Sequence, residues 1–134
     1  MRAGTAAIGL LVLVAGIAAA GAQSTLQCSG TQKHWIVADL LFGRTNVSQA
    51  SFARFLAAEV TPRFPDGFTV LDAKGQWRAP GSQKISRERS KVLMIAMPPG
   101  ADNDDRLAKI IEAYKTRFKQ QSVGLIMRTA CVSF

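Results

Sequence analysis

The stretch ISRERSKVLMIAMPPGADNDDRLAKIIEAYKTRFK, residues Ile85–Lys119, holds a strand, a break and a helix in that order. Ile85 to Met97 reads as a long strand, and Pro98-Pro99-Gly100 ends it because proline offers no amide to a ladder. In the helix that follows, Asp102 stands at the N-cap, with Asp104 and Asp105 in the first turn. Lys115, Arg117 and Lys119 fall in the last turn, so both ends complement the helix dipole. Leu107, Ile110, Ile111, Tyr114 and Phe118 form one apolar stripe, which has to pack on something.

On either side of this segment, Val123 to Val132 reads as a strand after the helix, and Phe68 to Trp77 as one before Ile85, with a bend expected near Gly75. The loop Ala79-Pro80-Gly81-Ser82 separates those two earlier strands. Upstream, Trp35-Ile-Val-Ala-Asp-Leu-Leu-Phe-Gly43 is a further strand. Ser48 is placed to cap a helix whose apolar residues, Phe52, Phe55, Leu56 and Val60, recur at helical spacing as far as about Thr61. Pro62, Pro65 and Asp66-Gly67 stop that helix and turn the chain. The order β-α-β-β-α-β predicts an α+β, ferredoxin-like sandwich, with two helices on one face of a four-stranded antiparallel sheet.

The first 22 residues belong to none of this. Arg2 is followed by an uncharged, Leu-, Val- and Ala-rich run that closes on Ala20-Gly21-Ala22, a small-x-small cleavage pattern. Residues 1–22 are therefore expected to be a signal peptide and residues 23–134 a single α+β domain, secreted or periplasmic and off the membrane after cleavage. A retained anchor is the alternative. Without Arg2 the chain carries 16 basic and 9 acidic side chains, a net charge of +7. Such a balance favours anionic partners at low salt, or simply keeps an exported protein dissolved. No zinc-finger spacing, recognition-helix pattern or aromatic RNA-binding strand accompanies it, so nucleic acid is not an expected partner.

Cys28 precedes the first strand and Cys131 lies near the end of the last. In the usual ferredoxin-like strand order these strands are antiparallel neighbours, which brings the two thiols together. An oxidising compartment would join them; the alternative is two unrelated buried thiols.

A lone sheet of this type should alternate apolar and polar residues, because only one face is under helices. Here both sets are apolar. Ile36, Ala38, Leu40 and Phe42 oppose Trp35, Val37 and Leu41, and Val92, Met94 and Ala96 oppose Leu93, Ile95 and Met97. The second face is thus expected to be covered by a second copy in a homodimer, or by the Arg78–Lys84 loop folding over it. Asp39 lies within that face, with Arg87, Arg89 and Lys91 as candidate basic partners on one side of the third strand. These four residues are candidates for a structural ion cluster or for the polar end of a pocket taking a small anionic ligand.

Catalytic signatures are absent. His34 stands alone at a strand start, no second histidine or close cysteine pair suggests zinc, and neither a Gly-x-Ser-x-Gly elbow nor a glycine-rich phosphate loop occurs. No catalytic set, metal or cofactor is expected. Asn46-Val47-Ser48 fits a glycosylation sequon but reads first as a turn.

Taken together, Phe42-Gly43, Glu59-Val-Thr-Pro-Arg-Phe-Pro-Asp-Gly67, Thr69-Val-Leu-Asp72, Gly75-Gln-Trp-Arg78, Ser90-Lys-Val-Leu93, Ala113-Tyr-Lys115, Gln121-Ser-Val123 and Cys131-Val-Ser-Phe134 carry a resemblance. The chain resembles the exported bacterial proteins of domain-of-unknown-function family 3574 over nearly all of its mature length. The resemblance implies a bacterial source and a secreted or periplasmic location, and it implies no activity. Asp39 and Leu41 depart from the family pattern, which has Glu and Tyr there. Trp77 and Arg78, beside Gly75, suit the rim of a binding site, since indole offers a flat face and guanidinium a fork; the alternative is that Trp77 plugs the core.

Three functions fit these features. The first is a non-catalytic binding or structural domain of the cell envelope. The second is a cofactor-free enzyme of dimeric α+β barrel type, with Asp39 or His34 as base, acting on a small anionic substrate. The third is a polyanion-binding protein.

Overall fold

A computed structural model describes residues 26–134; the segment read as a signal peptide lies outside the described residues. Strand β1 runs over Lys33–Gly43, helix α1 over Gln49–Phe55, strands β2 and β3 over Thr69–Arg78 and Ile85–Met97, helix α2 over Asn103–Phe118 and strand β4 over Gly124–Val132. The sheet order is β2-β3-β1-β4, and every neighbouring pair is antiparallel. This is the ferredoxin-like α+β arrangement that the element order predicts.

The helix ends show which local signals operate. Ser48 caps α1, its hydroxyl accepting from the amide of Ser51 at 3.1 Å. Over Leu56–Val60 the coil widens into one π turn, closed by the Thr61 amide on the Leu56 carbonyl at 2.9 Å, and Pro62 follows. Asp102 does not cap α2 with its side chain. Its backbone is already near-helical (φ −93°, ψ −3°) rather than extended, and its carboxylate pairs with Nε of Arg106 at 3.3 Å. β1 begins at Lys33 rather than Trp35 because Lys33 and His34 find partners in Val132 and Cys131. Through Gly75, β2 stays paired to β3 without interruption.

Burial separates the two faces of the sheet, except at Val37, which is buried on the open side. Ala38, Leu40, Phe42, Leu93, Ile95 and Met97 lie under the helices and are buried. They meet Phe52 and Phe55 of α1 and Leu107, Ile110 and Tyr114 of α2 in one core. Phe42 and Tyr114 pack at a tilt with ring centroids 4.5 Å apart, and the Tyr114 hydroxyl donates to the Gly43 carbonyl at 2.7 Å. Burial raises the Tyr114 pKa to about 12.

Cys28 and Cys131 form a disulfide, with Cα atoms 5.4 Å apart. Strand order alone brings them together, since His34 of β1 lies opposite Cys131 of β4. The Arg78–Lys84 segment does not cover the second face. β2 and β3 remain paired out to Arg78 and Ile85, and the residues between them close a turn through the Ser82 amide and the Ala79 carbonyl. Leu71 and Leu41 consequently stay 51% and 40% exposed.

Candidate functional site on the open face of the sheet

Strand alternation and register assign the residues of the open face. Leu71 of β2, Val92 of β3 and Leu41 of β1 sit side by side in one cross-strand row. The next row toward the β4 edge contains Thr69, Met94, Asp39 and Ile126. Ile126 is 51% exposed. This is an uncovered apolar surface with a carboxylate at its centre.

The partner of Asp39 is Arg128 of β4, whose Nη1 binds Oδ2 of the carboxylate. This corrects the pairing expected with the basic residues of β3. Asp39 stands opposite Met94, so Arg87, Arg89 and Lys91, at odd positions, lie on the other face of the sheet. Lys91 is buried on the helix side opposite Phe42 and reaches Asp72 at 2.7 Å. The Lys91 hydrogen bond holds the Asp72 carboxyl below its usual range. Arg78 likewise alternates away from the open face, whereas Trp77 stands on it, 39% exposed. The structure thus does not gather the sequence candidates into one cluster. Asp39 and Trp77 share a face, while Arg78, Arg87, Arg89 and Lys91 share the opposite one.

Beyond the apolar rows, where β1 ends and the β2–β3 hairpin continues, the sheet is hollowed into a cleft of about 760 Å³. Its floor is made of small residues. Gly43, Ala73, Gly75, Ser86 and Ser90 all fall on the open face here, so no large side chain fills the space. Its walls are Trp77, Leu41 and the carboxylate of Glu88. Glu88 is held by Thr45, whose backbone amide donates to Oε2 at 2.9 Å and whose hydroxyl donates to the same oxygen. The carboxylate lies where a side chain on Gly43 would be: a Cβ there would sit 2.5 Å from Oε1. A side chain at 43 would have to push that carboxylate off Thr45.

The loop bearing Thr45 is fixed from below by Arg44, which is buried and donates to the Val47 carbonyl at 3.0 Å and to Gln49 Oε1 at 3.2 Å. Glu88, Arg44 and Arg128 are absent from the sequence candidates. The signal for Glu88 is an acid between Arg87 and Arg89, on the opposite parity. For Arg128 it is the same β1–β4 pairing that joins the cysteines.

A third cluster lies at the far end of β1. The ligand atoms of Cys28, His34 and Cys131 fall within 4.8 Å of one another. Both sulfurs are joined in the disulfide, and disulfide sulfur is not the thiolate that a metal such as zinc takes.

The sheet, its two helices and its strand order define a ferredoxin-like α+β domain. Solved structures of similar fold include a phage SAM lyase in complex with S-methyl-5'-thioadenosine, at TM-score 0.56 and 14% identity, covering 81% of this chain and 95% of that one. CutA from Synechococcus elongatus PCC7942 is another, at TM-score 0.51 and 12% identity, covering 76% and 82% respectively. At such identities the likeness concerns the fold alone. Among curated proteins none matches. The model of the family described as protein of unknown function (DUF3574) matches residues 38–134, and the chain belongs to that family.

Proposed function

We propose that this protein is an exported, non-catalytic binding domain of the bacterial cell envelope, and that it pairs with a second copy of itself through the open face of the sheet. The observation that carries the reading is the uncovered apolar surface formed by Leu71, Val92 and Leu41 in one row and Met94 and Ile126 in the next. Each large aliphatic side chain left in water forgoes about 1.5–3 kcal/mol of burial. Two such faces pack sheet to sheet at about 10 Å, as in any sandwich. A patch bearing one acid, Asp39, and one base, Arg128, is also complementary to itself about a two-fold axis.

Export draws support from the leading segment, read as a signal peptide, and from the disulfide, which belongs to an oxidising compartment. Among the described residues no helix is long and apolar enough to cross a membrane.

Light scattering on oxidised residues 23–134 tests the pairing. A dimer at tens of micromolar is expected, and Leu71→Asp with Ile126→Asp should leave a folded monomer. A monomeric wild type at that concentration would remove the pairing. Fractionation of cells expressing the full chain tests the location independently, with the mature protein expected in the periplasm or medium.

A second reading rests on Arg128, which is 48% exposed beside Asp39 and can turn its remaining N–H groups to a small carboxylate. The protein would then be a small-acid binder or a cofactor-free enzyme. A thermal shift with one small acid, lost in Arg128→Gln and resistant to salt, would favour this reading. Shifts seen only with acidic polymers and lost between about 50 and 200 mM salt would favour a polyanion binder.

A further inference from the structure

We infer that the cleft between the β2–β3 hairpin and the end of β1 is a binding site for a neutral oligosaccharide. At about 760 Å³ it lies within the range of small-ligand sites, and the floor of Gly43, Ala73, Gly75, Ser86 and Ser90 makes it a trough rather than a hole. One wall is the exposed indole of Trp77. An indole beside a shallow trough offers a flat apolar surface to the C–H face of a pyranose ring, leaving the sugar's hydroxyls at the rim.

The chemistry of the lining points the same way. It is rich in neutral groups that both donate and accept, which is what a ring of hydroxyls needs. Asn46 and Gln121 make no side-chain hydrogen bond to another described residue, nor do the hydroxyls of Ser86, Ser90 and Ser122. They are solvated groups, ready to exchange water for ligand hydroxyls. Glu88 supplies the carboxylate of the cleft lining. Thr45 occupies its Oε2, which leaves Oε1 to accept from a sugar hydroxyl. A carboxylate within the trough disfavours phosphate- or carboxylate-bearing ligands, while Lys119 at the border disfavours a cation. A neutral polyol is what remains.

The cleft adjoins the proposed pairing surface at Leu41 and Val92 but extends past it toward the end of the sheet. Thr45 and Asn46, which follow β1, and Gln120 to Ser122, which precede β4, border it, so it opens at the end of the sheet.

The test is a fluorescence and calorimetric titration of oxidised residues 23–134 with tri-N-acetylglucosamine, cellotriose and maltotriose, with citrate as an anionic control. Saturable binding of at least one sugar is expected. Trp77→Ala should weaken it tenfold or more, and Trp35→Phe should leave it unchanged. Trp77 is partly exposed, so its truncation is compatible with folding, which the circular dichroism spectrum checks. Glu88→Gln should weaken binding while keeping the spectrum. Preference for the N-acetylated sugar would indicate a cell-wall-type glycan, and preference for a glucan a storage or exopolysaccharide type. The monomeric Leu71→Asp/Ile126→Asp variant should bind as the wild type does, which keeps this inference separable from the pairing. No saturable response to any of the three sugars up to ~10 mM, where even weak single-site binding registers, would overturn the inference. Binding of citrate alone, or unchanged sugar affinity in Trp77→Ala, would overturn it too.

Discussion

The two faces of this sheet are built from the same kinds of residue and meet opposite fates. Leu40 and Leu41 are chain neighbours on one strand; the first is fully buried and the second is 40% exposed. Phe42, next along, is the hub of the covered face, with Tyr114 at 4.5 Å and Phe52 and Phe55 at 5.7 and 5.9 Å. Apolar composition therefore does not report burial here. What decides it is which side the two helices occupy. An apolar side without helices is a surface available for a partner.

β4 adds to the contrast. It is an edge strand whose Leu125, Ile126 and Met127 are all exposed, although they alternate between the faces. The helices cover the centre of the sheet better than this edge. β4 is held by its ladder to β1 and by the disulfide at its end. A covalent tie stands where packing is thin.

Four changes probe the difference between the faces, taken here in order of size. Phe42→Ala on the covered face should destabilise the domain by about 3–5 kcal/mol in denaturant unfolding, because a buried ring leaves a cavity the helices cannot close. If the loss were below ~1 kcal/mol, the covered face would not be the core. Cys28→Ser with Cys131→Ser should lower stability by about 2–5 kcal/mol, the usual range for losing a native disulfide from a small domain. Hydrogen exchange should then rise first along β4; uniform exchange across the sheet would argue that β4 is held by packing after all.

The third test uses Tyr114. Its pKa is raised to about 12 by burial, above the ordinary 10.0. The folded state therefore keeps the phenol protonated where the unfolded chain loses the proton. The corresponding stability is complete below pH 10 and is lost as pH rises toward 12, on the order of 2–3 kcal/mol. Tyr114→Phe should flatten the stability profile between those limits, and an unchanged slope would show that the phenol ionises without resistance. The smallest change in intrinsic stability belongs to the open face. Ile126→Ser should alter unfolding at high dilution by only about 0.5–1 kcal/mol, yet weaken self-association at tens of micromolar. A loss as large as that of Phe42→Ala would erase the distinction between the faces.

Elements with strong local signals are legible in the amino-acid sequence. The proline and glycine breaks at Pro62, Pro65 and Pro98-Pro99-Gly100, the Ser48 cap and the apolar stripe of α2 set the order of elements to within a residue or two. The part Asp102 plays is not legible, because competition between a backbone amide and the Arg106 guanidinium is settled only in three dimensions. The candidate site is the hardest to read. Alternation places Asp39 on the open face, but the basic row of β3 draws attention away from its true partner on β4. Alternation along one strand says which residues share a side. It does not say which side of a neighbouring strand faces the same way.

The order of strands and helices, the chemical character of each face and the two cysteines at the ends of strands that this topology makes neighbours are all written in the chain. They follow from local steric and periodic rules, which a sequence carries with it wherever it folds. Three further facts arise only on folding: which apolar face receives the helices, which basic residue meets Asp39, and that five small residues from three strands line up to hollow a cleft beside Trp77 and Glu88. Such facts depend on register between strands distant in sequence. A shift of one residue would move every side chain to the opposite face.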